Sequence, residues 1–280
     1  MRPKSNVTVI MPCYNDGKYV MQAVHSVLNQ TLKPEKVIIV DDGSGPETKT
    51  VLKQINFENI EVIHQDNQGV CVARNNGIKL AQTKYILNLD ADDYFEPSFI
   101  EKAVKVLNEH EEVGVVGCFY RTLKNNKIEQ NIIKPLGGSV ENFLVKNNGL
   151  GNALFRLKCW EQVLGYDEKM AKGYEDWDFW ISILAKGWNM HIIQEPLFTY
   201  RIKQVSRDSN AMQNHDIELK TYLFKKHQKL YLDNFQSFAN QMFYVNNRLK
   251  KEKLKSLNSL DYKIGNIILV PFRFLKKWIK

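Results

Sequence analysis

Apolar positions along this chain alternate between two rhythms. Short, largely apolar runs at residues 7–11, 36–40, 60–64 and 85–89 read as strands. Between them the spacing turns helical. Val20, Ala23, Val24, Val27 and Leu28 share one face, and a short helix ends near Ile55. Gln68-Gly69-Val70 then opens a helix carrying Ala73, Arg74, Asn75 and Gly77. Strands alternating with helices predict an α/β chain: a mostly parallel central sheet flanked by helices. Ligands bind such sheets beyond the carboxyl ends of the strands. The polar residues that close the first, second and fourth runs should therefore meet in one crevice.

Further along, Ile100, Ala103, Val104 and Leu107 mark a helix, and residues 113–120 a strand. Residues 121–151 are rich in Asn, Lys and Gly and weakly periodic; a β-hairpin and a short helix near 141–146 are expected there. Residues 152–157 read as a strand, 158–164 as a short helix and 175–186 as a clear helix. Two strands follow, at 190–193 and 197–201. Past Ser206 the pattern changes to a helical stretch over 210–257. The segment 264–279 is apolar and basic together, with Phe272, Arg273, Phe274, Leu275, Lys276, Lys277 and Trp278. The expected organisation is one α/β domain over 1–208, in halves dividing near residue 95, and a helical tail over 209–280.

Composition narrows the class. A chain of 280 residues, 44% hydrophobic and 25% charged, can bury a full core. No early apolar stretch resembles a signal peptide; Met1-Arg2-Pro3-Lys4 runs directly into the first strand. No run reaches the ~18 apolar residues of a membrane span. Cys13, Cys71, Cys118 and Cys159 are far apart and show no CxxC spacing, as for free thiols in a reducing compartment without a zinc site. A cytoplasmic protein is expected. The net charge of +8 resides in residues 245–280, where ten Lys or Arg face only Glu252 and Asp261. Charge confined to a tail argues against a nucleic-acid groove. It fits docking on an anionic membrane surface, packing on a partner or on the α/β domain, or homo-oligomerisation.

Candidate chemistry sits at the end of the fourth strand, in Asn88-Leu89-Asp90-Ala91-Asp92-Asp93. Carboxylates this close repel and raise each other's pKa values. A hard divalent cation removes that cost and takes such oxygens as ligands. D-x-D at a strand's carboxyl end is thus a candidate seat for Mg²⁺ or Mn²⁺ carrying a diphosphate; a solvated Asp-rich turn before Pro97 is the plainer alternative. The first strand ends in Pro12-Cys13-Tyr14-Asn15-Asp16-Gly17, not in the G-x-G-x-x-G of a nicotinamide site. In the helix beginning at Glu175, Asp176 shares its face with Phe179, Trp180, Ile183 and Leu184, and Glu175 is turned about 100° away. An inward Asp at a helix N-terminus stays ionised and suits a carboxylate base; a capping carboxylate is the alternative.

The stretches T-V-I-M-P-C-Y-N, S-V-L-N-Q-T, V-I-I-V-D-D-G-S, N-Q-G-V-C-V-A-R-N-N-G, Y-I-L-N-L-D-A-D-D-Y-F-E-P and G-Y-E-D-W-D-F-W occur in this order over residues 6–201. Together they resemble family 2 glycosyltransferases of the GT-A, Rossmann-like fold. The resemblance makes 1–208 the catalytic domain, its first half the donor side and its second the acceptor side. It implies that Pro12, Tyr14, Asn15 and Asp42 hold a nucleotide base and ribose, usually uridine. Arg74 would lie near the base or phosphates, Asp90 near the ribose or a metal-bound water, and Asp92 on the metal. Asp93 would support the turn, and Asp176, beside Glu175, would be the general base. The family often has a His two residues after a late Y-R. Here Tyr200-Arg201-Ile202-Lys203 places Lys203 there, and a protonated Lys cannot ligate a cation. Lys203 would instead contact the diphosphate, with reduced metal dependence.

The implied reaction is inverting transfer of a sugar from a UDP-sugar to a hydroxyl of a glycan, lipid-linked or polymer acceptor. Surface polysaccharide or teichoic-acid assembly at the cytoplasmic membrane face is the family-level setting. Acceptor choice is expected to lie in residues 121–151 and in the tail. A nucleotidyltransferase would show a Gly-rich basic loop after the first strand, absent here. A degenerate scaffolding module docked through the tail is the remaining alternative, and nucleotide-sugar turnover separates it.

Overall fold

The computed structural model describes residues 5–203 and 211–278, with side chains to residue 269. The chain runs β1 (Val7–Cys13), α1 (Val20–Leu28), β2 (Lys36–Asp42), α2 (Pro46–Leu52), β3 (Ile60–Gln65), α3 (Val70–Lys79) and β4 (Tyr85–Asn88). It continues through β5 (Tyr94–Phe95), α4 (Phe99–Glu109), β6 (Val113–Lys124), β7 (Lys127–Ile128), β8 (Leu154–Arg156), α5 (Leu157–Val163), α6 (Glu175–Leu184) and β9 (Asn189–Ile202). The last helices are α7 (Asp216–Lys226), α8 (Gln228–Asp233), α9 (Phe235–Asn258) and α10 (Leu260–Trp278).

One sheet has the strand order β3-β2-β1-β4-β8-β6-β9-β5, with β7 on β6. The half formed by β1 to β4 is wholly parallel: β1 pairs with β2 and β4, and β2 with β3. β8 is the departure from the parallel expectation. It enters antiparallel between β4 and β6, and β6–β9 resumes parallel pairing. Alternate side chains of β1 serve two cores, as the period of two requires. Val7, Val9 and Met11 pack with α1 and α4, while Ile10 packs under α3. Gly77 of α3 lies so close to the sheet that a Cβ there would stand 2.8 Å from Ile10 Cγ2 and 3.0 Å from Val40 Cγ2.

Three elements differ from the sequence expectation. The two strands at 190–193 and 197–201 are one, β9, with a register irregularity opposite Cys118 and Phe119 that lets it continue through Pro196. β6 runs on to Lys124 and forms the hairpin with β7. β5, two residues long, leaves no periodicity to read, yet its pairing with β9 (Tyr94 opposite Thr199) fixes the end of the Asp-rich turn.

The chain forms two compact units, Met1–Leu230 and Tyr231–Lys280. The first extends past the expected boundary at 208 because α7 buries Leu219 and Leu223 in the core under α6. In the second unit α9 and α10 are separated by Ser259, whose backbone is extended (ψ 149°). No helix among the described residues is long and apolar enough to cross a membrane. The side chains of Phe272, Arg273, Phe274, Leu275, Lys276, Lys277 and Trp278 lie outside the described residues, as do residues 1–4 and Ser206.

Candidate active site

Register places the turns that end β1, β2 and β4 together. Cys13 at the end of β1 lies opposite Asp41 of β2, and Ile10 opposite Asn88 of β4. The β1 turn is tied to the β2 turn by polar contacts. Ser44 Oγ accepts from Asn15 N (3.0 Å), and Asn15 Oδ1 from Gly45 N (2.8 Å). Pro12 is buried within β1, whereas Tyr14 is 52% exposed. Its ring is available as a face for a planar base. Asp42 is buried, and its carboxylate accepts from Gln65 Nε2 (2.8 Å), Gln68 N (2.8 Å) and Gly69 N (2.9 Å). Asp42 therefore fastens the loop that starts α3.

β4 delivers the Asp-rich turn. Asp93 N donates to Asp90 O (3.1 Å) and closes it. Asp93 is buried and accepts from Arg201 N (2.7 Å) and Asn152 Nδ2 (3.3 Å). Burial, then the neighbouring carboxylates of Asp92 and Asp90, push its own carboxyl well above the usual carboxylate range. This matches its expected supporting position. Asn152 also accepts from Asp90 N (2.7 Å).

Arg74 is 1% exposed. Nη2 donates to Asp90 Oδ1 (2.8 Å) and Nη1 to Glu175 Oε1 (3.0 Å), while the guanidinium lies 5.3 Å from the Tyr166 ring centroid. Its planar fork spans two carboxylates and joins α3, the β4 turn and α6. Glu175 differs from the helical-face expectation: it is 3% exposed, not turned to solvent. Side chains in the first turn of a helix tilt toward its N-terminus, so neighbouring positions there can both enter the crevice.

Asp176 follows in the first turn of α6, partly buried. Oδ1 accepts from Trp177 N and Oδ2 from Asn147 Nδ2, both at 2.8 Å. Gly151 backs the carboxylate; a Cβ there would stand 3.3 Å from Asp176 Oδ2. Asn147 was not among the sequence candidates. It lies in the weakly periodic 121–151 segment, where no local signal marks a partner for a residue on α6.

On the other side of the turn, Lys203 Nζ is 2.5 Å from Asp16 Oδ1 and 2.7 Å from Asp92 Oδ2. Asp16 is a further residue that the motif reading left without a role. Burial pushes the Asp92 carboxyl up; Lys203 pulls it back, and Asp90 and Asp16 push again. Burial alone would lower Lys203, but Asp92 and Asp16 outweigh it and hold the ammonium above its ordinary pKa. Arg201 sits beside it, its guanidinium 4.4 Å from the Tyr19 ring centroid, with Nε donating to Asp92 O (2.8 Å).

This donor set does not fit Mn²⁺ or Mg²⁺ as it stands. Lys203 fills the space between Asp92 and Asp16, and Arg74 takes Asp90. Among the described residues no three His, Cys, Asp or Glu side chains converge in a metal-binding group.

The parallel sheet of β1 to β4, the Asp-rich turn beyond β4 and the carboxylates at the start of α6 define a glycosyltransferase domain of the GT-A fold. Residues 8–162 match the model of Glycosyl transferase family 2, and the chain belongs to that family. It is similar to chondroitin synthase of Escherichia coli, 29% identical over 195 residues, which are 66% of this chain and 27% of that protein. It is also similar to a Bacillus subtilis glycosyltransferase, TuaG, named for teichuronic acid biosynthesis, at 31% over 211 residues (74% of this chain and 83% of that one). Among solved structures it resembles S. aureus TarS 1–349 in complex with UDP-GlcNAc, with TM-score 0.61 at 20% identity over 73% of this chain and 61% of that one. The same TarS segment in complex with UDP gives 0.57 at 19% identity, over 70% and 60%. These likenesses show the fold.

Proposed function

We propose that the chain transfers a sugar from a UDP-sugar to a hydroxyl of a glycan or surface polymer, with inversion. The observation that carries this is the Arg74 bridge. By holding Asp90 and Glu175 at once, it sets the start of α6, and so Asp176, beside the Asp-rich turn. A base is thereby presented across the crevice from the place where a diphosphate would leave.

In this reading Asp176 takes the proton of the acceptor hydroxyl as its oxygen attacks the anomeric carbon. The bond to the diphosphate breaks on the opposite face, UDP departs with the bonding pair, and the configuration inverts as in single-displacement glycosidases. Tyr14, Asn15 and Pro12 border the nucleotide, and Asp42 shapes the adjoining loop. A divalent cation would supply Lewis-acid neutralisation of the leaving group. The present donor set does not fit one, and no step here depends on it. The relatives named for chondroitin and teichuronic acid, and the TarS complexes with UDP and UDP-GlcNAc, support a uridine donor and a surface-polymer acceptor.

Calorimetric titration with UDP, GDP and CMP, followed by turnover of a UDP-sugar panel, tests this reading. UDP should bind selectively, and one UDP-sugar should be consumed. Binding of none of the three nucleotides would overturn the reading in favour of a degenerate scaffolding module.

For the second unit we propose a membrane-surface role. Leu260, Ile264, Ile267 and Ile268 of α10 are all exposed and recur at helical spacing on one face. The same region of the chain carries the basic excess. Vesicles containing anionic lipid should bind the full chain, less so as salt rises. A chain ending at Leu257 should lose this binding; undiminished co-sedimentation would reject the anchor.

A further inference from the structure

We propose that Lys203 is the resident cation of the carboxylate seat at Asp92, and that it excludes a divalent metal from that seat while it stands there. Its bearing on catalysis rests on the reading of the crevice as a nucleotide-diphosphate site.

Three observations carry it. The first is the geometry of the ammonium, 2.5 Å from Asp16 Oδ1 and 2.7 Å from Asp92 Oδ2. Two N–H groups are spent on oxygens from two different turns, and a third suits an anionic diphosphate oxygen. The second is that the root of this side chain is fixed. Arg201, two residues earlier, donates its N–H to Asp93 Oδ1 (2.7 Å), Nε to Asp92 O (2.8 Å) and Nη2 to Gln22 Oε1 (2.6 Å). Tyr19 then lines both side chains, its ring centroid 5.5 Å from Lys203 Nζ and 4.4 Å from the Arg201 guanidinium. The third is the state of the donors. A divalent cation needs carboxylate oxygens at roughly 2.0–2.6 Å. Asp92 Oδ2 already faces the ammonium, and Asp90 Oδ1 is held by Arg74.

An ammonium and a divalent cation on one carboxylate, a few ångströms apart, repel strongly and compete for it. Lys203 and a metal at Asp92 are therefore alternatives. A metal that enters must displace the ammonium, and a diphosphate is the kind of group that could receive it. Metal affinity should then be weak without nucleotide and higher with it, a coupling that is reciprocal by linkage.

The test is a Mn²⁺ titration without nucleotide, followed by calorimetry and by loss of the free-ion paramagnetic signal. Lys203→Met should bind Mn²⁺ at least tenfold more tightly than the unaltered chain. Lys203→Arg, which keeps a positive charge in the seat, should not gain. Adding Asp92→Asn to Lys203→Met should abolish the gain, which locates the ion. Equal affinity in Lys203→Met and the unaltered chain, with both folded by thermal denaturation, overturns the proposal. So does an equal gain in Lys203→Arg, or a gain that survives Asp92→Asn. None of these titrations involves UDP, so their failure is distinct from a failure of the nucleotide reading, which the UDP titration decides alone.

Discussion

Asp176→Asn is expected to lower the turnover of sugar transfer by roughly 10²–10⁴-fold, the usual contribution of a positioned base, with UDP affinity almost unchanged. The substitution keeps shape and removes basicity. Asp176 Oδ1 accepts from Trp177 N and Oδ2 from Asn147 Nδ2. An Asn there keeps the first bond through its carbonyl oxygen. It keeps the second only if the Asn147 amide turns over to accept, which gives up the bond that Asn147 Oδ1 accepts from Gly149 N (3.1 Å). The start of α6 should survive this local change, and the loss should appear in kcat with little change in nucleotide binding. Steady-state kinetics with a turned-over UDP-sugar, beside a UDP titration of the same variant, gives the answer. Transfer at near the unaltered rate would remove Asp176 as the base. Loss of UDP binding would mean that it holds the donor.

Arg74→Met should carry the largest effect on stability. Glu175 is 3% exposed and Asp90 partly exposed, and Arg74 stands between them. Removing one partner of a buried ion pair leaves an uncompensated charge and costs about 3–5 kcal/mol. For a unit of this size that is a drop of roughly 10 °C in the midpoint of thermal unfolding. Adding Glu175→Gln should recover part of the loss, since it removes the more buried of the two stranded charges. Thermal and urea unfolding of the single and double variants form a cycle that measures the coupling. A midpoint within a degree or two of the unaltered chain would show that the triad is not what joins α3 to α6.

Much of the scaffold was legible in the sequence because its signals are local. The short apolar run in residues 7–11 marked β1, and the 3.6-residue spacing of Val20, Ala23, Val24 and Val27 marked α1. The helix spacing follows from where neighbouring Cβ atoms point, and the run from burial of the strand on both faces. The Asp-rich turn could be placed at a strand end because the apolar run before it stops abruptly. Where a local signal was missing, the reading fell short. β5 is too short to show a period. β9 was divided in two because Glu195 and Pro196 interrupt its apolar run, while its pairing with β6 continues past them. The composition changes before α7, yet Leu219 and Leu223 of α7 still belong to the core, which the change in composition does not reveal.

The site separates the same way. The residue types at the ends of β1, β2 and β4 and at the start of α6, and the order of those motifs, were determined by the sequence alone. What each side chain touches was decided only by tertiary structure. Arg74 reaches Glu175 across 101 positions, Asn147 reaches Asp176 across 29, and Lys203 reaches Asp16 across 187. Partners that far apart in the chain leave no periodicity or spacing between them. They meet because the sheet carries their turns to one edge, and the charge on each then selects its neighbour there.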